Sequence, residues 1–272
     1  MKPESACPKR FRILGWPVDV FDRTSLLEFM AYRISSGQKT VLANLNLHAL
    51  YCLEQSDAMR RLLKRSSTFV HIDGMPVMWL LKLRGKRVNR DNRLTSVDWG
   101  PPLLEMAAKR NWKVAYVGSS PETCAAGVKH FQRRIPNLEL MAWDGYFDLT
   151  DETFGSKLHR LKQEVNAFGP DLLFVGMGMP RQEHFLELHG PEFQFKVAIC
   201  AGAFLEYFAG EQSRPPRWLG RVGFEWLYRL VLNPRRYGRR YLIEPLALLL
   251  LIVGNRVGRS PRMQKAARDS FD

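Results

Sequence analysis

Residues 172–183 read LLFVGMGMPRQE, and this stretch decides the fold class. Four apolar residues typical of a buried strand run into a Gly-x-Gly turn, and a polar trio then opens a helix. Similar short apolar runs recur along the chain, each followed by a turn and a helical pattern. The runs are Thr40–Leu45, Phe69–Ile72, Lys113–Val117, Leu172–Val175 and Val197–Cys200. Strands that alternate with helices predict a Rossmann-like α/β fold, in which helices flank a mostly parallel sheet.

Helical patterns fill the spaces between these runs. They cover His48–Arg65, Met75–Leu83, Pro102–Arg110, Glu122–Arg134, Phe154–Phe168 and Gln182–Leu188. Ligands of a parallel sheet bind outside the carboxyl ends of its strands, so the turns there should carry the chemistry. Those turns read Asn44-Leu45-Asn46, Asp73-Gly74, Gly118-Ser119-Ser120 and Gly176-Met177-Gly178.

The charge of this 272-residue chain is strongly positive, with a formal net value of +14 at pH 7. Residues 210–272 hold thirteen Lys or Arg against five Asp or Glu, so the last quarter of the chain carries more than half of the excess. Such an excess predicts an anionic partner: nucleic acid, a membrane surface or a phosphorylated small molecule. We predict a catalytic domain over residues 1–209 and a basic, helical, membrane-associating appendage over residues 210–272, after the proline-rich break at Arg214–Trp218.

Cysteine usage and hydropathy indicate the cellular compartment in which the protein works. The four cysteines form no CxxC pair, which argues against structural zinc and a disulfide framework and fits a reduced cytoplasm. The N-terminus shows no apolar signal region. The most apolar run, residues 242–253, is shorter than the roughly 20 residues that span a bilayer. We expect it to lie as a helix in the membrane interface.

Asp73 is the candidate general base, because a carboxylate at a strand tip can accept a proton from an attacking hydroxyl group. An equal alternative is that Asp73 caps the helix beginning at Met75. His71 is in phase with Asp73, and a lone histidine is more often structural than catalytic. The Gly176–Gly178 turn offers backbone N–H groups to an anion or a sugar, although it could be an ordinary tight turn. It is not a Gly-x-Gly-x-x-Gly fingerprint, which disfavours a nicotinamide cofactor.

Arginines are the predicted phosphate ligands. Because the sequence has no Asp-x-Asp motif and no His/Cys cluster with ligand spacing, we predict neither a metal nor a cofactor. Arg229, Arg236 and Arg239 stand at i, i+7 and i+10, which places them on one helical face if Pro234 permits. The alternative is a solvated or lipid-facing run. Aromatic residues typical of a membrane interface are interleaved with them, namely Trp226, Tyr228, Tyr237 and Tyr241.

In combination, these motifs resemble the WecG/TagA/CpsF glycosyltransferase family over about residues 14–241. The resemblance rests on Asn44-Leu45-Asn46, Asp73-Gly74-Met75-Pro76, Arg93 with Asp98, Pro170-Asp171, Gly176-x-Gly178-x-Pro180-Arg181-Gln182-Glu183, Arg214-x-Pro216-x-Trp218, Glu225-Trp226-Leu227-Tyr228-Arg229 and Pro234-x-Arg236-x-x-Arg239. It implies a metal-independent, inverting transfer from a UDP-sugar to an undecaprenyl-diphosphate-linked saccharide in surface-polysaccharide assembly. It also implies a cytoplasmic protein, peripheral on the inner face of the cell membrane, without a nucleic-acid partner and with its oligomeric state open.

Residue roles follow from the same resemblance. It assigns the general base to Asp73, a donor-sugar contact to Gln182, and phosphate contacts to Arg229, Arg236 and Arg239. Further substrate contacts are expected from Asn44, Asn46, Gly74, Arg93, Gly118, Ser119, Gly176, Gly178, Pro180 and Glu183. Asn44 stands where the family usually has threonine, and Ser96 and Ser119 stand where it usually has glycine. The donor sugar of any one member is therefore not carried over.

Two other classes stay open at this point. A Rossmann-like oxidoreductase or methyltransferase is supported only by the alternating strands and helices. A basic nucleic-acid-binding protein would explain the charge. However, the tail lacks a recognisable DNA- or RNA-binding motif, and its arginines are mixed with a Leu-rich run better suited to lipid.

Overall fold

A central eight-stranded sheet organises the computed structural model, which describes residues 8–145, 154–212, 219 and 225–256. The spatial order is β1-β2-β4-β3-β8-β7-β5-β6. The strands are β1 Lys9–Ile13, β2 Trp16–Val20, β3 Thr40–Leu45, β4 Thr68–Ile72, β5 Val114–Gly118, β6 Leu140–Trp143, β7 Leu172–Gly176 and β8 Val197–Cys200. The hairpin β1–β2 is antiparallel. All other neighbouring strands in this order, from β2 at one side to β6 at the far edge, pair in parallel. The predicted α/β class with a mostly parallel sheet is confirmed.

Helices cover both faces of this sheet. They are α1 Arg23–Ser35, α2 Leu47–Gln55, α3 Asp57–Lys64, α4 Met75–Leu83, α5 Ser96–Lys109, α6 Pro121–Arg134, α7 Phe154–Phe168, α8 Arg181–Leu188 and α9 Phe204–Phe208, with 3-10 turns at Arg90–Asn92 and Gly190–Glu192. Alternate residues of β5 enter opposite cores: Ala115 and Val117 join the cluster under α2, α3, α4 and α8, whereas Val114 and Tyr116 join the cluster under α1, α5, α6 and α9. This alternation explains why the central strands read as continuous apolar runs.

The predicted strands agree with the structure to within one residue, but the helix expected over His48–Arg65 is wrong as a single element. It breaks at Ser56, whose backbone is extended at φ −116° and ψ 109°. The Ser56 hydroxyl accepts a hydrogen bond from Met59 N at 3.0 Å and so begins α3. A serine in this position competes with the helical backbone and starts a new helix instead.

The C-terminal region is helical, and it is segmented. Its elements are α10 Glu225–Leu232, α11 Pro234–Gly238, a π-helical turn Arg239–Ile243 and α12 Glu244–Arg256. The condition set for one helical face through the three arginines, that Pro234 permit it, is not met. The chain leaves the helical region at Asn233, with φ −138° and ψ 70°, and Pro234 opens a new helix because proline cannot donate the interior hydrogen bond. Arg214–Trp218 lies outside the described residues, and the domain boundary at residues 209/210 stays a prediction.

The last helix docks on the α/β core. Leu248 of α12 is buried in the same apolar cluster as α2. His48 Nδ1 lies 2.5 Å from Glu244 Oε2, which joins α2 to the start of α12. Across the described ranges, no helix has the length and apolar content that crossing a membrane requires.

Candidate functional site

The carboxyl ends of the parallel strands meet along one edge of the sheet. Asp73 follows β4, Asn46 follows β3, and the Gly176–Gly178 turn follows β7. The order β4-β3-β8-β7 leaves two strands between the carboxylate and the glycine turn. At about 4.8 Å per strand, the two features are roughly 14 Å apart. They therefore line one elongated edge and do not touch each other.

Asp73 is held by two side-chain amides. Asn44 Nδ2 and Asn46 Nδ2 both donate to Asp73 Oδ2, at 3.3 and 3.1 Å. Asn46 is itself fixed, because its Oδ1 accepts from Ala49 N at 2.9 Å and caps α2. Among the described residues none hydrogen-bonds to Asp73 Oδ1, and the side chain is partly exposed. The arrangement presents one oriented carboxylate oxygen to a ligand.

The alternative in which Asp73 caps α4 is wrong. The N-cap residue is Gly74, and Asp73 makes no capping hydrogen bond within the described residues. Gly74 has φ +120°, a conformation that side chains disfavour, so glycine here turns the chain sharply between β4 and α4. The turn leaves the Asp73 side chain free to face the strand edge.

His71 belongs to the core. It is fully buried, and its ring lies edge-on to Trp99 with the centroids 5.9 Å apart. Burial lowers the pKa of His71 although the nearby carboxylate of Asp73 opposes the shift, so the imidazole is neutral. The structural interpretation of this histidine is the one that the geometry supports.

Arg93 is placed beside the same strand end. Leu94 N donates to Ile72 O at 2.9 Å, which fixes the segment carrying Arg93 next to the last residue of β4. Ser96, at the start of α5, donates its hydroxyl to Ala201 O at 3.1 Å. The two contacts tie this connection to the carboxyl ends of β4 and β8.

Two of the predicted contact glycines have a packing role. A Cβ atom at Gly118 would lie 2.3 Å from Gly176 O, and one at Gly176 would lie 1.8 Å from Tyr116 Oη. Ser119 is also buried, and its Oγ lies 2.9 Å from Tyr116 Oη. Gly178 differs from them, because at φ +75° its Cβ would meet no described atom within 4 Å. Of these four residues, Gly178 is the one left open to a ligand.

Gln182 and Glu183 lie inside the protein, whereas Arg181 is exposed. Gln182 Oε1 accepts from Gly202 N at 2.9 Å, and its Nε2 donates to Glu183 Oε1 at 2.7 Å. Burial raises the pKa of Glu183 to about 7, against the opposing hydrogen bond from Gln182. Glu183 Oε2 is buried with no hydrogen-bond partner in the described part of the chain. Pro180, joined to Met179 by a cis peptide bond, precedes this turn of α8.

Arg229 brings a cation from the tail to this edge. Burial lowers the pKa of Arg229, but the acidic groups of Tyr207, Tyr241 and Asp73 outweigh that effect and raise it. The guanidinium carbon lies 5.9 Å from the centroid of the Tyr207 ring. Its Nε atom is buried and has no hydrogen-bond partner within the described ranges. A buried guanidinium donor with no partner among the described residues is a suitable anion ligand.

Comparison with known proteins identifies the family of the chain. The model of the glycosyl transferase WecG/TagA/CpsF family matches residues 11–262. The chain belongs to this family. Similar curated proteins are named N-acetylglucosaminyldiphosphoundecaprenol N-acetyl-beta-D-mannosaminyltransferase, from Staphylococcus aureus. The one from strain MRSA252 is 33% identical over 148 residues, or 54% of this chain and 56% of the relative, and those from strains NCTC 8325 and COL are 32% identical over the same length. The chain thus spans about half the length of the curated relatives it matches.

Membership of the WecG/TagA/CpsF family leaves the residue roles as predictions. Arg239 lies in the π-helical turn, and Arg236 in α11 with its side chain outside the described residues. Two features of this family member escaped the sequence reasoning: Tyr207 beside Arg229, and the contact between His48 and Glu244. Tyr207 follows β8 by seven residues, and this position near a strand's carboxyl end could have indicated that it lies close to the site. No local pattern could have joined His48 to Glu244.

Proposed function

We propose that this protein transfers a sugar from a UDP-sugar to an undecaprenyl-diphosphate-linked saccharide, with inversion at the anomeric carbon. The observation that carries the proposal is the Asp73 carboxylate, fixed through Oδ2 and open at Oδ1, with Arg229 close enough to interact with it. A base and a cation at the end of a parallel sheet suit a reaction in which a hydroxyl group attacks and a diphosphate leaves. The names of the S. aureus relatives describe an acceptor and a sugar of these classes.

The proposed reaction begins with the acceptor hydroxyl group in hydrogen-bond reach of Asp73 Oδ1. Asp73 takes its proton as the oxygen attacks the anomeric carbon of the donor, and UDP leaves from the opposite side. Asn44 and Asn46 keep the carboxylate from rotating, since both amides hold the other oxygen. A positioned general base of this kind contributes about 10²–10⁴-fold in rate.

The second requirement of the reaction is to stabilise the negative charge on the leaving diphosphate. Arg229 has an unused Nε donor at the strand edge, and Arg239 lies in the following π-helical turn. Guanidinium groups make strong, directional hydrogen bonds to phosphate oxygens. In this proposal the arginines stabilise the donor or the acceptor diphosphate. The proposal includes neither a metal ion nor a cofactor.

Exposed apolar residues of the tail support a peripheral position on the cytoplasmic face of the membrane. Leu242, Leu246, Leu249 and Leu250 are each more than half exposed and belong to consecutive turns of one helical segment. Apolar side chains on a helix too short to span a bilayer suit insertion into its interface. In this account the tail presents the core to its lipid-linked acceptor.

Asp73→Asn is the variant that tests the proposed function. It preserves size and one oxygen but removes the base, so turnover of UDP-sugar and lipid acceptor should fall by about 10²–10⁴-fold while UDP binding, measured by calorimetry, persists. Asp91→Asn is the matched control, because Asp91 is exposed in the 3-10 turn before Arg93. Turnover of Asp73→Asn that matches this control would refute the assignment.

A further inference from the structure

Helix α4 starts beside Asp73 and carries an exposed apolar pair on its outer side. Trp79 and Leu83, four residues apart and thus on one helical face, are 50% and 84% exposed. The opposite side of the helix is buried, with Val77, Met78 and Leu81 in the core. The core therefore accounts for only one side of α4, and the outer pair has no partner within the described residues that covers it.

Basic residues lie close to that pair in the sequence. Residues 74–90 contain five Lys or Arg and no Asp or Glu, and all five are exposed: Lys82, Arg84, Lys86, Arg87 and Arg90. Arg84 donates to Arg12 O at 3.1 Å, and the Lys86 ammonium group lies 5.2 Å from the centroid of the Phe11 ring. Lys82 and Arg87 make no ion pair within the ranges that the structure covers. The α4 surface, which we define as residues 79–87, combines exposed apolar groups with uncompensated positive charge.

We propose that the α4 surface binds the anionic headgroup layer of a membrane, as a contact of the catalytic core separate from the tail. Tryptophan is favoured at the level of lipid headgroups, and leucine beside it can enter the acyl boundary. Lysine and arginine next to them are attracted by anionic lipids. A soluble protein partner would suit the apolar pair, but it would have to supply acidic groups along the whole basic segment.

The position of the α4 surface fits a lipid-linked acceptor, and this step rests on the proposed function. Leu83 follows Gly74 by nine residues, which corresponds to about 13 Å along a helix. The far end of α4 lies beside the amino end of β2, because Arg84 donates to Arg12 O and Arg12 pairs with Pro17. An acceptor therefore has to span the length of α4 between a membrane at Leu83 and the Asp73 carboxylate. The diphosphate of an acceptor could remain among the headgroups while its sugar meets the carboxylate.

The tail and the α4 surface lie on the same face of the sheet. Leu248 of α12 is buried in the core cluster that also holds Val77 and Leu81 of α4. The exposed leucines of α12 and the apolar pair of α4 can therefore meet one bilayer. Two separate contacts would fix how the core is oriented above the membrane, whereas the tail by itself would only attach it.

Vesicle flotation of the full-length chain tests the proposal without any catalytic step. Lys82→Gln/Arg87→Gln should lower binding to phosphatidylcholine vesicles that contain phosphatidylglycerol by roughly tenfold or more, and leave binding to pure phosphatidylcholine unchanged. Trp79→Gln/Leu83→Gln should lower binding to both by roughly tenfold. The matched control is Lys129→Gln/Arg133→Gln on α6, whose buried residues face the opposite core, and it should bind like wild type.

Each contrary result overturns the proposal. Wild-type binding by both α4 variants means that the tail alone contacts the membrane, and equal losses in the α6 control mean that any basic surface does so. If Trp79→Gln/Leu83→Gln changes only the molar mass in light scattering, the surface joins copies of the chain. Because Lys82 and Arg87 have exposed side chains, their variant should fold, which an unchanged Tm verifies. Failure of the wild-type protein to transfer sugar would refute the proposed function and leave the vesicle result standing.

Discussion

The buried carboxyl group of Glu183 predicts how the stability of the protein depends on pH. This carboxyl group is fully buried in the first turn of α8, and burial raises its pKa from 4.5 to about 7, against the hydrogen bond from Gln182, which acts in the opposite direction. The folded protein thus binds this proton more tightly than the unfolded chain. The resulting stabilisation is complete below pH 4.5 and is lost as the pH rises through about 7. The difference between these pKa values corresponds to about 3 kcal/mol of unfolding free energy.

Glu183→Gln should remove that pH dependence. The amide keeps an acceptor oxygen for Gln182 but cannot ionise, so the variant should gain about 3 kcal/mol relative to wild type between acidic and mildly alkaline pH. Urea unfolding followed by tryptophan fluorescence across this range measures the difference. Glu105→Gln, at an exposed position of α5, is the control and should track wild type. Parallel curves for wild type and Glu183→Gln would show that this carboxyl group is not held neutral by burial.

Three further predictions concern the turn and the tail. Gly176→Ala should largely prevent folding, because the new Cβ would lie 1.8 Å from the hydroxyl oxygen of Tyr116. Gly178→Ala meets no neighbouring atom but has a left-handed φ, so it should cost about 1–2 kcal/mol of unfolding free energy. Similar losses of Tm in the two variants would contradict the packing argument. Arg229→Ala should weaken binding of UDP or of a polyprenyl diphosphate by about 1.5–3 kcal/mol in calorimetry, and unchanged affinity for both would leave it a structural residue. Glu244→Gln should loosen α12 from His48, so hydrogen exchange in the tail should accelerate while that of the sheet does not; equal protection would mean that apolar packing alone docks the helix.

Five central parallel strands could be predicted from sequence because each is an apolar run bounded by turns, whereas the parallel edge strand β6, Leu140–Trp143, was missed. The hairpin β1–β2 could not, since its first strand reads KRFRI and lies at the edge of the sheet with mostly exposed side chains. Its partner strand carries Asp19, which is fully buried and accepts two hydrogen bonds from Arg10, at 2.7 and 2.9 Å. A buried carboxylate paired in this way is indistinguishable in the sequence from an exposed one.

In the candidate site, likewise, features set by local sequence could be predicted, whereas features set by contacts between distant residues could not. The position of Asp73 at a strand tip is local and could be read directly. Its orientation by Asn44 and Asn46 depends on the register of β3 against β4, in which Asn44 is opposite His71. The burial of Gln182 depends on how α8 packs, which the local sequence pattern does not show.

The central claim is that this edge of the sheet transfers a sugar to a lipid-linked acceptor. It is tested most directly by incubating the full-length protein with a panel of UDP-sugars and a short-chain polyprenyl-diphosphate saccharide, and reading the product by mass and by anomeric configuration. The account predicts an acceptor heavier by one sugar residue, linked with the anomeric configuration opposite to that of the donor. Release of UDP with no change in acceptor mass, or a product that retains the donor configuration, would contradict it.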